Sequence, residues 1–226
     1  MQQLREVVRK SRNRAFGVAL RARRDRQFRE DVAAASSAGL VKVHVGAGRE
    51  TLQGWINTDI QWRCPDQLDI TQPWPVPDGT VNFVYGDNVI EHLRLEDARR
   101  AFRHTFDAMA PGGVLRLSTP DVEASARSYL ENGELARAGL ERNRELGKQL
   151  DHPVQLLAQV YVGAEHYLGF CYDFNALAAE MGAAGFDVHR CQTGQSEHPE
   201  LRGLEARTHP AEAATQLCVE GVKPRS

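Results

Sequence analysis

The residue types best suited to catalysis lie together after one predicted strand. Residues 81–85 form a short apolar run typical of a β-strand, and residues 86–92 have the sequence GDNVIEH. His92 is a candidate general base because an imidazole takes up a proton near neutral pH. Glu91 could orient this ring or bind substrate hydroxyl groups, and His166 is a third catalytic candidate further along the chain. The alternative is that Glu91 and His92 only begin the next helix, with His92 facing solvent.

A glycine-containing turn marks a candidate binding site at the end of another strand. The β-branched run 41–45 leads directly into Gly46 and Gly48, where the backbone can approach a ligand closely because glycine has no Cβ atom. Asp59 follows at the end of the next predicted strand, and a carboxylate there can accept hydrogen bonds from both hydroxyl groups of a ribose. Asp69 lies near the end of a third strand. The alternative is a plain strand-to-turn connection and a turn aspartate.

The spacing after the glycines argues against a nicotinamide-dependent oxidoreductase. A dinucleotide fingerprint would place a third glycine at position 51, where this chain has Thr51, and a ribose-binding acid about 20 residues further on. Asp59 follows Gly48 by only eleven residues. The pattern therefore favours an adenosine-containing ligand other than a dinucleotide.

Strands that alternate with helices must position these residues. The strands are predicted at 41–45, 55–59, just before Asp69, 81–85, 114–118, 186–191 and 217–220. Amphipathic helices are predicted at 95–109, where Pro111-Gly112-Gly113 stops the helix, and at 174–184, and residues 121–165 are interpreted as a charged helical insertion. Such alternation predicts an α/β fold with a mostly parallel sheet and helices on both faces.

Composition places the chain among soluble globular proteins. It has 226 residues, of which 42% are hydrophobic and 26% charged. No run approaches the roughly 20 apolar residues of a membrane span, and no secretory signal follows the basic start, so we expect a cytoplasmic protein without a membrane span. The four cysteines lie far apart without a C-x-x-C pair, which favours reduced thiols over a zinc site or a disulfide framework.

The start of the chain is strongly basic. Residues 1–30 carry ten basic and three acidic side chains, whereas the formal net charge of the protein is −2. Apolar residues at helical spacing predict a helical arm over residues 1–38. Such an arm could contact nucleic acid, an anionic membrane surface or an acidic partner. The alternative, which we favour, is a helix packed on the protein's own acidic body or on a second subunit; a homodimer is therefore a candidate assembly, and nucleic acid is not favoured.

Several segments, taken in order, are similar to class I S-adenosylmethionine-dependent methyltransferases. They are VGAG at 45–48, GWINTD at 54–59, NVIEHL at 88–93 and MAPGGVLRLSTPD at 109–121. More narrowly, the chain resembles a type-11-like bacterial group whose second strand carries GWINxD. The resemblance is strong over 40–122 and weak over 165–221. It implies a Rossmann-like seven-stranded sheet with an antiparallel last strand, in a methyltransferase domain spanning 39–226.

The resemblance also implies where S-adenosyl-L-methionine binds. The two glycines flank the methionine moiety, the acid after the second strand contacts the ribose, the third strand reads the adenine, and Asn88 approaches the sulfonium. The implied cofactor residues are Val45, Gly46, Ala47, Gly48, Asp59, Ile60, Asp69, Ile70, Asp87 and Asn88. Only residues 46–55 separate the first two strands, so we expect a short first crossover helix.

The acceptor is the least determined part. The group whose second strand carries GWINxD is, by resemblance, often linked with surface-glycan and secondary-metabolite pathways, which implies O-methylation of a glycan or small-molecule hydroxyl group. A hydroxyl nucleophile needs a base, and His92 is the first candidate. Some relatives bind a divalent ion through ExxEH; here Asn88 replaces the first carboxylate, and we expect no metal. The second hypothesis is a non-catalytic adenosyl-binding module that recruits a partner through the basic arm. The aromatic candidates for an acceptor pocket are Trp62, Trp74, Tyr129, Tyr161, Tyr167 and Tyr172.

Overall fold

The computed structural model describes residues 22–61, 64, 66–207 and 209–225. Its strands are β1 (Lys42–Val45), β2 (Ile56–Asp59), β3 (Asp66–Gln67), β4 (Val81–Asp87), β5 (Met109–Pro120), β6 (Asp187–Cys191) and β7 (Gln216–Val222). Its α-helices are α1 (22–38), α2 (Leu95–Ala108), α3 (Val122–Glu131), α4 (Glu134–Glu145), α5 (Pro153–Val162), α6 (Phe174–Ala183) and α7 (Pro210–Ala213). Most of the predicted basic arm, residues 1–21, lies outside the described residues. Among the described helices, none has the length and apolar character needed to cross a membrane.

The seven strands form one mixed sheet in the order β3-β2-β1-β4-β5-β7-β6. β7 runs antiparallel to β5 and β6, and the other neighbouring strands pair in parallel. The predicted α/β class, the strand count and the antiparallel last strand are therefore confirmed. Because parallel strands end at the same edge of a sheet, the residues that follow β1, β2, β3 and β4 lie along one edge.

One face of the sheet carries the main hydrophobic core. Val43, Val84 and Leu115 are register partners in adjacent strands and are buried there. Three helices, α1, α2 and α6, cover this face. They contribute Phe28, Val32, Ala98, Phe102, Leu177 and Met181 to the same buried cluster. Removal of this apolar surface from water stabilises the docked helices.

The opposite face of the sheet is polar and yet buried. His44, Tyr85 and Arg116 are register partners across β1, β4 and β5, and none is more than 4% exposed. The connection between β6 and β7, residues 192–215, packs on this face, where the His198 ring lies 5.7 Å from that of Phe83. A mostly irregular connection, which includes the short helix α7, therefore covers the polar strands.

Arg116 is the centre of the polar face. Its Nε donates a hydrogen bond to Glu205 Oε1 and its Nη1 donates to Glu220 Oε1, both at 2.5 Å. The guanidinium also donates to the carbonyl oxygens of Gln192 and Gln195. Because burial strips these charges of water, each needs the others as partners. The network therefore ties the 192–215 connection to β5 and β7.

The predicted helix in the first crossover is wrong. Residues 46–55 form turns without a helix. The Asn57 side chain supplies the hydrogen bonds instead: its Oδ1 accepts from Leu52 N at 2.7 Å, and its Nδ2 donates to the carbonyl oxygens of Leu52 and Trp55. Because these bonds satisfy the turn locally, the ten-residue connection closes without helical hydrogen bonds.

The break between α2 and β5 comes earlier than predicted. We expected Pro111-Gly112-Gly113 to stop the helix, but α2 ends at Ala108 and β5 begins at Met109. The register of β5 against β4 shifts between Met109 and Val114, so the Pro-Gly-Gly segment forms an irregularity inside the strand. A Cβ atom on Gly113 would lie 2.9 Å from Ala110 O, which explains why glycine fits there.

Removal of the Arg116 charge should destabilise the folded protein strongly. Arg116→Met leaves Glu205 and Glu220 buried without their cation, and we expect the free energy of unfolding to fall by about 3–5 kcal/mol. Urea unfolding followed by circular dichroism measures this. The matched control is Arg99→Met, which removes surface pairs with Glu96 and Glu180 and should change stability little. Equal stability of the two variants would contradict a structural role for the network.

Candidate active site

The glycine turn after β1 is held from two sides. Gly46 has φ 65°, and a Cβ atom there would lie 2.1 Å from Val89 Cγ2, so only glycine lets the turn pack against the segment after β4. Asp59, at the end of β2, accepts a hydrogen bond from Gly48 N at 2.9 Å through Oδ2 and one from Gln61 N at 2.7 Å through Oδ1. Each carboxylate oxygen keeps a further lone pair for a ligand hydroxyl group.

A hollow of about 290 Å³ lies at the end of β3. Ile60, Asp69 and Gln72 line it, together with Arg24 of α1. Asp69 Oδ1 accepts hydrogen bonds from the backbone and hydroxyl groups of Thr71, while Ile60 is 72% exposed. An apolar side chain beside polar acceptors is a surface on which a flat heteroaromatic ring can lie. The side chain of Ile70 packs against the core instead of lining the hollow.

A second cavity, the glycine-loop cavity, has a volume of about 470 Å³. The turn 46–50 forms one wall, and His44, Tyr85 and Asp87 line it from the strands. The opposite wall is the segment 204–207 of the last connection. Among the predicted cofactor residues, Gly46, Ala47, Gly48, Asp87 and Asn88 line this cavity, whereas the Val45 side chain belongs to the core.

The third cavity has a volume of about 520 Å³, the largest of the three, and lies against α3, α4, α5 and α7. Tyr129 is the described aromatic candidate that lines it. Trp74 and Tyr172 are buried in the core, and Tyr161 is 43% exposed outside the cavity. Trp62 and the side chain of Tyr167 lie outside the described part of the chain.

Asn88 lies between the two cavities and lines both. Its φ of 54° is left-handed, a conformation that asparagine adopts more readily than most residues. Its Nδ2 donates to Asp87 Oδ1 at 2.5 Å, while its buried Oδ1 has no hydrogen-bond partner among the described residues. This buried acceptor has capacity for a ligand in either cavity.

The structure brings the three catalytic candidates together: His92 and His166 line the third cavity, and Glu91 is buried beside them. The rings of His92 and His166 lie 4.8 Å apart, and His166 Nε2 lies 4.0 Å from Glu91 Oε1. His166 Nδ1 lies 3.0 Å from the carbonyl oxygen of Val160, which can only accept, so Nδ1 carries the proton and Nε2 presents its lone pair in the neutral ring. Glu91 is 1% exposed, whereas His92 is exposed.

Gly169 makes this cluster possible. A Cβ atom on residue 169 would lie 1.9 Å from Glu91 O, and the neighbouring Phe170 N donates to that oxygen at 3.2 Å. The 3-10 segment Gly163–Leu168, which carries His166, can therefore approach Glu91 only with glycine at this position. No motif in the sequence singles out Gly169.

Burial raises the pKa of Glu91 to about 7, since desolvation disfavours the charged carboxylate. One oxygen accepts a hydrogen bond from Thr119 Oγ1 at 3.0 Å, and Oε1, which faces His166, has no partner among the described residues. Thus Glu91 can change its protonation state near neutral pH.

The same three side chains could also hold a metal ion. One ligand atom from each of Glu91, His92 and His166 lies within 4.8 Å of the others. Two imidazoles and a carboxylate are donors that transition metals accept, and the hydrogen bond from His166 Nδ1 would leave Nε2 as the ligand. The expectation of a metal-free site therefore stays a prediction.

Arg207 also lines both cavities, although it is not among the site residues predicted from the sequence. It lies in the connection between β6 and β7, and its Nη1 is 3.7 Å from Asp87 Oδ1. No motif surrounds it, and it is 120 residues from Asp87 in the chain. Only the folded connection could show this proximity.

The strand order, the glycine turn after β1 and the acid after β2 together define a class I methyltransferase architecture. In agreement, residues 14–190 match the family model described as a methyltransferase domain, and the chain belongs to that family. The matched region is an S-adenosyl-L-methionine-dependent methyltransferase domain, with that cofactor as methyl donor. No curated protein matches the sequence.

Several solved structures are similar to the chain. A methyltransferase from Mesorhizobium loti is 15% identical with a TM-score of 0.49, over 84% of this chain and 96% of that one. A methyltransferase from Aquifex aeolicus is 10% identical with a TM-score of 0.43, over 81% and 82% of the two chains. The CurJ carbon methyltransferase is 14% identical with a TM-score of 0.47, over 82% of this chain. The chain spans about half the length of that protein, 49%, and of the citrinin polyketide synthase CMeT domain, 47%.

The raised pKa of Glu91 predicts a pH-dependent stability. The folded protein binds this proton more tightly than the unfolded chain does, so the stabilisation present below pH 4.5 is lost as the pH rises to about 7. Glu91→Gln removes this dependence. Between pH 4.5 and pH 8, the unfolding free energy of the wild type should therefore fall by about 3 kcal/mol more than that of Glu91→Gln. Urea unfolding at both pH values measures the gain.

The control for this measurement is Glu141→Gln, which changes an exposed carboxylate of α4. It should leave the difference in stability between the two pH values as in the wild type. If Glu91→Gln also leaves that difference unchanged, Glu91 is ionised in the folded protein at neutral pH and the burial argument is wrong.

Proposed function

We propose that this methyltransferase transfers the methyl group to a hydroxyl oxygen of a small molecule or of a glycan. The observation that carries the proposal is the cluster of Glu91, His92 and His166, whose two histidines line the largest of the three cavities. Asn88, which lines both that cavity and the glycine-loop cavity, links it to the proposed cofactor site. An acceptor in one cavity would thus meet a cofactor in the other.

The cofactor would lie along the carboxyl edge of the sheet. The residues present fit it: Gly46 and Gly48 line the cavity that would take the methionine moiety, Asp59 has lone pairs for the ribose, and Ile60 with Asp69 offers a surface for the adenine. When bound, S-adenosyl-L-methionine supplies an electrophilic methyl group. The chain's own residues align the acceptor with it and exclude water.

His166 is the best-placed general base in this proposal. Its Nδ1 proton is held by the Val160 carbonyl, so Nε2 is free to take the proton of an acceptor hydroxyl group as the oxygen attacks the methyl group. Glu91 lies 4.0 Å from His166, and its ionised form would stabilise the imidazolium that His166 becomes when it takes the proton. His92, beside the His166 ring, would contact the acceptor from the exposed side.

The size of the largest cavity supports a small acceptor. About 520 Å³ lies within the range of small-molecule sites, roughly 300–1,000 Å³. Its lining combines apolar side chains, such as Leu135 and Leu156, with polar ones, such as Asn143 and Gln159. A glycan would enter through a terminal sugar. The cytoplasmic location expected from the sequence is part of this proposal.

Calorimetric titration with S-adenosylhomocysteine tests the cofactor site. We expect micromolar binding by the wild type, and Asp59→Ala should weaken it about tenfold or more because the variant loses both the ribose acceptor and the bond that holds Gly48 N. Asp107→Ala, an acid of α2 away from the proposed cofactor site, is the control and should bind as the wild type. Equal affinity of the Asp59 variant would remove Asp59 from the site.

A panel of phenols, catechols and simple glycosides, with matched thiols and amines, tests the reaction. Mass spectrometry should find methyl ethers, and His166→Gln should lower their rate of formation at least a hundredfold, as expected for a lost general base. His104→Gln, in α2 outside both cavities, is the control. Products methylated only on nitrogen, carbon or sulfur would contradict the proposal.

EDTA should leave the rate of methylation unchanged, because the proposed mechanism uses no metal ion. Loss of activity that magnesium or manganese restores would contradict the metal-free mechanism.

A further inference from the structure

Arg207 and Asp87 form an oppositely charged pair at the wall of the glycine-loop cavity. Arg207 Nη1 lies 3.7 Å from Asp87 Oδ1, and both residues line the cavity. The side chain of Asp87 is 11% exposed and that of Arg207 is 41% exposed. At 3.7 Å the pair is longer than a hydrogen bond, so both groups keep capacity for a ligand.

The backbone beside Arg207 is fixed to the sheet. Ala206 N donates to Asp87 Oδ2 at 3.3 Å, and Glu205 is held by Arg116 at 2.5 Å and by Gly194 N at 2.8 Å. Because the Arg116 network is buried, movement of the segment 204–207 away from the cavity wall would leave buried charges without partners. The backbone that carries Arg207 is therefore held at the cavity wall.

The missing first crossover helix creates a need for such a cation. In open α/β sheets, the N-terminus of the helix after β1 presents backbone N–H groups and a positive dipole end to anionic ligand groups. The turn 46–55 has no helix here. The cationic side chains that line the cavity are Arg49 and Arg207, of which Arg49 is exposed and has no fixed partner among the described residues.

We infer that Arg207 and Asp87 together bind the amino-acid end of the cofactor, Arg207 its carboxylate and Asp87 its ammonium group. A zwitterion carries the charges that this pair complements, and a guanidinium can hold a carboxylate with two parallel hydrogen bonds. The inference rests on the proposed cofactor site and adds to it a subsite contributed by the connection between β6 and β7. Arg207 then replaces the helix that the first crossover lacks.

Three ligands separate the two charges. S-adenosylhomocysteine carries both, its decarboxylated analogue carries only the amine, and 5′-methylthioadenosine carries neither. Arg207→Ala should raise the calorimetric Kd of S-adenosylhomocysteine about tenfold to a hundredfold and leave the other two unchanged. Asp87→Asn should raise the Kd of the first two ligands and leave that of 5′-methylthioadenosine unchanged. Arg207→Lys should lose less than Arg207→Ala.

The control variant is Arg202→Ala, in the same connection, whose guanidinium donates to the backbone oxygens of Ser196 and Glu197 outside the cavity. It should bind all three ligands as the wild type does. If Arg207→Ala weakens all three ligands equally, the residue is only structural and the inference is overturned. If Arg207→Ala binds S-adenosylhomocysteine normally, the inference is also overturned, while the proposed cofactor site stands. If the wild type binds none of the ligands, the proposed cofactor site itself fails.

Discussion

The buried guanidinium of Arg116 is the interaction on which the functional edge of this protein depends. A β-sheet normally covers its faces with apolar side chains, but here β1, β4, β5 and β7 present His44, Tyr85, Arg116 and Glu220 to a buried face. Burial of charge is tolerated only when each charge finds partners. Glu205 supplies one of them, and in doing so it brings the last connection across the sheet.

That connection takes the place of regular structure at the cavity wall. β6 and β7 are antiparallel neighbours that a tight turn could join, yet 24 residues separate them, 192–215. The extra length lets Ala206 reach Asp87 and places Leu204 opposite the glycine turn. The first connection is shortened to turns by comparison. A long last connection and a short first one together enclose the glycine-loop cavity.

Two glycines set the distances at the site, and both do so by lacking a Cβ atom. Gly46 lets the turn after β1 pack on Val89, and Gly169 lets the segment that carries His166 approach the backbone of Glu91. A methyl group would clash with the side chain of Val89 at position 46 and with the backbone of Glu91 at position 169. In-line transfer tolerates little misplacement of acceptor and donor, so such close packing has direct consequences for the reaction.

The sequence by itself determined the sheet, its class and most of its elements. Alternating strands and helices show as local periodic patterns of apolar residues, and VGAG, GWINTD and NVIEHL lie at strand ends. It also singled out Glu91, His92 and His166, although the two histidines lie 74 residues apart. It did not determine the turns of 46–55, where Asn57 replaces helical hydrogen bonds, nor the early end of α2. Only the tertiary structure decided that Gly169 packs against the backbone of Glu91, that Arg207 lies beside Asp87 and that Arg116 pairs with Glu205. Each of these contacts joins segments that are distant in the chain. Local sequence patterns do not indicate which buried charge will pair with which partner.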